Sequence, residues 1–272
     1  MIRGMKAYLT LLIFLFSGIV QAKTIAATYD VTFSIFGKIG EAKVSFDDDK
    51  KRYYILVDAG LTGEAAAIGS NRREVHESFG VINNGVLRPE LYKVTRSSDH
   101  FQSISYFVFY PDEKKVEEYR MKEEYITERH FDTNLFKLVS KPKTKTSQSF
   151  KTLDYYANND LESLFFNVRT LLADMKLGDR KLVHAIGGSR KNKGEVLLTR
   201  PNGAKRQELM TLMPKHENNL MTVLINQDIF KSDKGELYIS LDKNLLVKEA
   251  MLKDVLLFGD IHGYRTSQTE LP

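Results

Sequence analysis

The run Asn159-Asp160-Leu161-Glu162-Ser163-Leu164-Phe165-Phe166-Asn167-Val168-Arg169-Thr170-Leu171-Leu172-Ala173-Asp174-Met175-Lys176-Leu177-Gly178 decides how the rest of the chain must fold. Leu161, Leu164, Phe165, Val168, Leu171, Leu172 and Met175 recur at spacings of three, one, three, three, one and three. That period lays them along one face of an α-helix, and Phe166 widens the stripe. Asn159 stands where the helix is capped, Glu162 three residues on completes a capping box, and Gly178 supplies the stop. The predicted helix covers about residues 160–177. A single helix with so wide an apolar face needs a layer to pack on, and the remaining sequence supplies strands.

Before the helix, the chain alternates with the period of a strand. In Thr28 to Phe36, Tyr29, Val31, Phe33 and Ile35 point one way and Thr28, Asp30, Thr32 and Ser34 the other. Gly37 to Gly40 turn the chain into a second strand marked by Val44 and Phe46, and Asp47 to Arg52 form a solvated link to a third, Tyr53 to Ala59. That third strand is apolar enough on both sides to be central. Asn83-Asn84-Gly85 is a hairpin signal between Phe79–Ile82 and Leu87–Val94, with Pro89 marking an edge or irregular strand. Phe101 to Tyr110 is a long aromatic strand. Lys115 to Phe131 reads as two amphipathic strands in preference to a helix, and polar residues 140–152 read as a loop separating two halves.

After the helix, strands resume at Leu182 to Ile186, with Gly187-Gly188 as a break. Pro201-Asn202-Gly203 reads as a hairpin turn joining Glu195–Thr199 to Lys205–Leu212. Leu220 to Ile225, Glu236 to Leu241, Leu245 to Leu252 and Val255 to Arg265 follow. The fold class is therefore mainly β: a strongly curved antiparallel sheet or half-barrel, with the one amphipathic helix against its concave side.

Residues 1–22 carry an address. Arg3 and Lys6 precede an apolar run from Tyr8 to Val20, and Val20-Gln21-Ala22 has the form of a cleavage site. This is the layout of a secretory signal peptide; the run is shorter than the roughly 20 residues a membrane-spanning helix needs. Lys23 follows the cut, so no cysteine stands there for lipid attachment. Removing 22 from 272 leaves 250 residues, expected to form a single β-rich domain from 23 to 272. Without Arg3 and Lys6 the balance is 38 basic against 35 acidic residues, or +3. So small an excess, together with export, argues against a nucleic-acid partner. The chain has no cysteine, which excludes thiolate metal sites and thiol chemistry and fits a bacterial periplasmic protein better than a eukaryotic secreted one. The expected location is the periplasm of a Gram-negative bacterium, with no membrane span after cleavage.

These landmarks together resemble the exported bacterial family labelled domain-of-unknown-function three-one-zero-eight. The stretches that carry the resemblance are Tyr29 to Phe33 with Gly37 to Ala42, Gly80 to Tyr92, Asp160 to Arg169, and Leu237 to Asp242 through Phe258 to Ile261. The resemblance implies a fold similar to that of periplasmic lipoprotein carriers, whose half-barrels shelter acyl chains. It transfers no activity to individual residues.

Candidate chemistry in the sequence is sparse. Ser240-Leu241-Asp242-Lys243 has the serine–lysine spacing of penicillin-recognising enzymes but spans a strand end and a turn, where that chemistry needs a helix. Asp260, His262 and Tyr264 alternate onto one strand face, where an acid–base pair could form, but the solvated polar face of an edge strand is the better reading and needs no chemistry. No two of the six histidines are closer than 24 residues; Glu74, His76 and His130 could converge only through the fold. Asp47-Asp48-Asp49 lacks the spacing and glycine bend of a calcium loop. Gly187 to Gly194 lacks the ending of a phosphate loop. No catalytic residue, metal or cofactor is assigned.

The aromatic strands carry the functional expectation. Phe33, Ile35, Phe107, Phe109, Leu164, Phe165 and Val168 are the candidate lining of an apolar site between sheet and helix. The leading reading is a non-enzymatic periplasmic protein binding an apolar or amphiphilic envelope component such as a lipid. The alternative is a structural protein that engages an envelope protein partner through an exposed strand edge; a hydrolase of a cell-wall polymer ranks third.

Overall fold

The computed structural model describes residues 23–271 apart from 34–35, 133–135, 190–192, 215, 218, 226–235, 245 and 256–258. The signal-like segment 1–22 and Ile35 thus lie outside the described residues. The strands are β1 (Lys23–Phe33), β2 (Gly37–Asp48), β3 (Arg52–Leu61), β4 (Arg73–Asn83), β5 (Val86–Ser98), β6 (Phe101–Tyr110), β7 (Lys115–Asp132), β8 (Lys137–Thr152), β9 (Asn159–Asp160), β10 (Arg180–Ser189), β11 (Glu195–Thr199), β12 (Asn219–Ile225), β13 (Glu236–Leu241), β14 (Val247–Val255) and β15 (Gly259–Leu271). The helices are α1 (Gly63–Ile68), α2 (Leu161–Ala173) and α3 (Gly203–Leu212).

All fifteen strands join one open sheet in the order β8-β7-β6-β5-β4-β3-β2-β1-β15-β14-β13-β12-β11-β10-β9. Two meanders run outward from the centre, where β1 pairs with β15 from Thr24↔Leu271 to Phe33↔Ile261. Every pairing is antiparallel except the short parallel contact of β9 with β10. The sheet curves around α2, and its two wings meet the helix from opposite sides. Leu164, Val168 and Leu172 pack with Ala185, Val196, Leu198, Met221 and Ile239 of β10–β13. Phe166 reaches the other wing and stacks on Phe46 of β2 at 4.6 Å. A third cluster joins Ile186 of β10 to Tyr92, Phe107, Phe109 and Val116 of β5–β7. The curved sheet with one helix on its concave side is the architecture the sequence implies. α3 covers part of the opposite face through Leu209, packed with Met213, Tyr238 and Met251.

Several local expectations are corrected. Asp160, and not Asn159, caps α2: its carboxylate accepts the Ser163 N–H at 2.7 Å, and the Ser163 hydroxyl accepts the Asp160 N–H at 3.0 Å. Asn159 and Asp160 both pair with β10 and the helix begins at Leu161, so Asp160 is the residue at the cap and its box partner is Ser163 instead of Glu162. α2 ends at Ala173, short of residue 177, although Met175 still enters the core.

Residues 140–152 are no loop; they belong to β8, which pairs with β7 along its whole length. Their polarity reflects an exposed edge. Residues 115–132 form one strand instead of two. Gly187 and Gly188 lie within β10, where the register with β11 shifts. Pro201-Asn202-Gly203 starts α3 and is no hairpin turn: Asn202 is the N-cap residue and its carbonyl accepts the Arg206 N–H. The Asn83-Asn84-Gly85 hairpin is present, with Asn84 and Gly85 both at positive φ.

Candidate functional site

α2 is fixed across the concave face by two buried polar contacts. Asp160 is fully buried, and its second carboxylate oxygen accepts the Ser78 hydroxyl of β4 at 2.6 Å. Ser78 in turn lies 3.1 Å from the Tyr53 hydroxyl. Burial pushes the Asp160 carboxyl up to about 7, against hydrogen bonds from Ser78 and Ser163 that favour the charged form. Further along the helix, the Asn167 side chain bonds both backbone groups of Leu87 in β5.

The second contact has a local cause. The β4–β5 register shifts at Gly80, where a Cβ would stand 2.0 Å from the Arg88 carbonyl oxygen. Pro89 occupies the irregular strand opposite, and the pairing of β5 with β6 begins only at Leu91. Leu87 therefore lacks a β6 neighbour, and Asn167 satisfies its backbone in place of a strand.

Between α2 and the centre of the sheet lies a cavity of about 290 Å³. Its roof is Glu162, Phe165 and Phe166. Its walls are Tyr29 and Val31 of β1, Ala42 and Val44 of β2, Val57 of β3, Leu237 and Ile239 of β13, Leu246 just before β14, Val247 and Ala250 of β14, and Gly263 of β15. Three small residues, Ala42, Ala250 and Gly263, leave the room that larger side chains would fill. The volume stands at the lower end of the ~300–1,000 Å³ typical of small-molecule sites.

Polar groups enter the cavity wall at two places. The Tyr29 hydroxyl donates to the Val247 carbonyl at 2.8 Å, beside Arg265, whose guanidinium pairs with Asp242 at 2.6 Å. At the other, Glu162 Oε1 lies 3.1 Å from His76 Nδ1. The same nitrogen is 2.6 Å from the Tyr92 hydroxyl, and His76 Nε2 is 3.5 Å from Glu74. Glu74 also takes Arg72 at 2.7 Å and Arg96 at 3.1 Å. Burial disfavours the imidazolium, but the carboxylates of Glu162 and Glu74 outweigh it and raise His76 to about 9. Glu74, hydrogen-bonded to His76, is held well below the usual carboxylate range. The two neighbouring carboxylates thus favour the imidazolium form of His76.

The seven candidate lining residues fall in separate places. Phe165 faces the cavity. Leu164 and Val168 are in the core with β10–β13, and Phe107 and Phe109 are in the cluster under β5–β7. Phe33 is buried at the end of β1, 6.0 Å from the Phe36 ring. Glu74 and His76 do come together, because residues two apart share a strand face, while His130 stands opposite Val139 in the outer hairpin. Among the described residues no group of three or more His, Asp or Glu side chains is arranged to hold a metal ion. Ser240 is buried and its hydroxyl accepts the Glu217 N–H at 2.7 Å. His262, 3.9 Å from Glu249, alternates with cavity-lining Gly263 and so faces away from the cavity. Sequence reading missed Glu162 as a wall residue, having assigned it to the cap, and missed the small residues, whose role exists only where strands from both meanders meet.

Fold and site together define an open antiparallel half-barrel whose helix roofs an apolar cavity edged by the Glu162–His76–Glu74 node and, at its other polar place, by Tyr29 beside the Arg265–Asp242 pair. No family model, curated protein or solved structure matches the chain. No helix among the described residues is long and apolar enough to cross a membrane.

Proposed function

We propose that this is an exported periplasmic protein without enzymatic activity, which holds the apolar part of an amphiphile, such as an envelope lipid, under α2. The observation that carries the reading is the cavity itself: the concave interior is filled by large side chains on either side of it, yet Ala42, Ala250 and Gly263 keep an apolar volume open at the seam of the two meanders. An alkyl chain would exchange water for Val31, Val44, Phe165 and Ile239, at about 0.8 kcal/mol for each buried methylene. The Glu162–His76 node gives the polar end of such a molecule hydrogen-bonding groups at the edge of that apolar wall. Membership of the exported family it resembles, and the likeness to lipoprotein carriers, are part of this proposal.

The rival of strand addition at the exposed sheet edge is less well supported. β8 carries Pro142 and five lysines along that edge, both of which oppose pairing with another strand. The test is native mass spectrometry and lipid extraction on protein purified from the periplasm, alongside the Ala250→Phe variant. A co-purifying amphiphile lost in the variant is the expected result. Absence of any adduct, together with no uptake of an apolar fluorescent probe by the wild type, would overturn the reading.

A further inference from the structure

The β7–β8 hairpin is built unlike the rest of the molecule. β6 ends its pairing with β7 at Phe101↔Glu124, whereas β7 and β8 continue together from Tyr125↔Thr144 to Asp132↔Lys137. Eight residues at ~3.3 Å each carry this ribbon about 26 Å past the neighbouring strand. Of the eleven large apolar side chains exposed among the described residues, six are on this hairpin. Phe136 and Leu138, nearest its tip, are 83% and 68% exposed.

The charge is equally uneven. β8 contains Lys137, Lys141, Lys143, Lys145 and Lys151 and no acidic residue. In the projecting part, Arg129, Lys137, Lys141 and Lys143 outnumber two acids, Glu128 and Asp132, for a net +2, with Lys143 paired to Glu128 at 3.0 Å. Lysines along a sheet edge protect it against pairing, but protection does not call for exposed Phe136 and Leu138 at the end of the same ribbon. On this side of the sheet Phe36 after β1 and Ile68 in α1 are also exposed, whereas the β5–β6 turn at Ser98–His100 is polar. On the opposite side the turns Asp48–Lys51, Asn83–Gly85, Pro111–Lys114 and Asp242–Asn244 are polar, although Leu177 before β10 is exposed there.

From this we infer that the β7–β8 hairpin is a docking arm for an anionic bilayer surface, entering tip-first. Phe136 and Leu138 pass into the boundary of the acyl chains, Lys137 between them and opposite Asp132 snorkels back towards the surface, Arg129 and Lys141 sit behind at the depth of the headgroup phosphates, and Lys143 stands farther out in the surface potential. The occupant is a bilayer because apolar tip and cationic collar follow one another along the ribbon, in the order in which a membrane presents acyl chains and phosphates. The arm shares no residue with the cavity, so failure of either reading leaves the other standing.

The chain contains no tryptophan, which makes the test direct. Phe136→Trp places a single reporter near the tip and Phe150→Trp a single reporter at the root. Vesicles of phosphatidylcholine alone and of phosphatidylcholine mixed with phosphatidylglycerol are the probes. The expected result is a blue-shifted emission for Phe136→Trp on the phosphatidylglycerol vesicles, none on phosphatidylcholine, and none for Phe150→Trp on either. Adding Lys137→Glu, Lys141→Glu and Lys143→Glu to Phe136→Trp is expected to weaken vesicle binding about tenfold or more, and raised salt to weaken it in the parent. Circular dichroism melting checks that these exposed changes leave the fold intact. Three results overturn the inference: no flotation of the wild type with phosphatidylglycerol vesicles, an equal shift at both reporters, or a shift at Phe136→Trp that tracks protein concentration without lipid, which would make the arm a contact between copies.

Discussion

Asn167 of α2 does for Leu87 of β5 what a neighbouring strand would do: its Nδ2 donates to the Leu87 carbonyl at 2.9 Å and its Oδ1 accepts the Leu87 N–H at 2.8 Å. Replacing it by leucine leaves a buried donor and acceptor unpaired. The expected loss is about 2–4 kcal/mol in urea unfolding, with the m-value unchanged. Asn167→Asp is also destabilising, because a carboxylate cannot donate to the carbonyl.

His76 makes stability fall on the alkaline side. Its folded value of about 9 is above the ~6.5 of an unfolded histidine, so its contribution is complete below the unfolded value and lost as pH rises through the folded one. The groups facing it are Glu74, Glu162 and Tyr92, with Arg72 and Arg96 on Glu74. Between pH ~6.5 and ~9 the wild type is expected to lose about 3 kcal/mol relative to His76→Gln. Urea midpoints measured across that range check it, and parallel profiles for the two proteins would show that the imidazolium contributes nothing.

Asp160 acts in the same direction at lower pH. Its folded carboxyl titrates at about 7, above the ~3.9 of an unfolded aspartate, so stability is full below ~3.9 and declines as pH rises towards 7. Asp160→Asn keeps an oxygen for the Ser163 N–H and abolishes this decline. The variant is expected to be less stable than the wild type at pH 4 and to gain on it steadily up to neutrality.

Gly80 tolerates no side chain. A Cβ there would stand 2.0 Å from the Arg88 carbonyl oxygen and 2.8 Å from the Pro89 Cα, both backbone atoms. Gly80→Ala is expected to cost about 3 kcal/mol and to shift the bulge that frees Leu87 for Asn167. Adding Asn167→Ala to it should cost less than the two single effects combined, since both act on one contact.

Filling the cavity separates stability from binding. Ala250→Leu adds apolar contacts with Phe165 and Ile239, so its melting temperature is expected to hold or rise while uptake of an apolar probe falls. A variant that loses stability and keeps probe uptake would place the probe elsewhere.

Where the sequence misled, the reason is local. The spacing of Leu164, Phe165 and Val168 identified the helix, but Asn159 and Asp160 can each cap it, and the buried bond that Asp160 accepts from Ser78 of β4 exists only in the folded chain. Residues 140–152 are polar enough for a loop because β8 has water on nearly all sides; its hydrogen bonds come from β7, which composition does not reveal. Pro201-Asn202-Gly203 begins a helix as readily as it makes a turn, and burial of Leu209 against Tyr238 and Met251 favoured the helix.

The sequence by itself determined the class of fold: period-two alternation and one amphipathic helix with an apolar face too wide for water leave a curved sheet as the partner layer. It also determined the hairpin at Asn84-Gly85, whose backbone needs are met by a few adjacent residues. Only the tertiary structure decided that β1 and β15 meet at the centre, that the cavity opens at that seam, and that Phe165 faces it while Leu164 and Val168 do not. Those outcomes depend on which side chains from residues over two hundred apart arrive together, as Tyr29 and Val247 do. Local periodicity carries no information about that meeting, because it is fixed by packing the whole concave face at once.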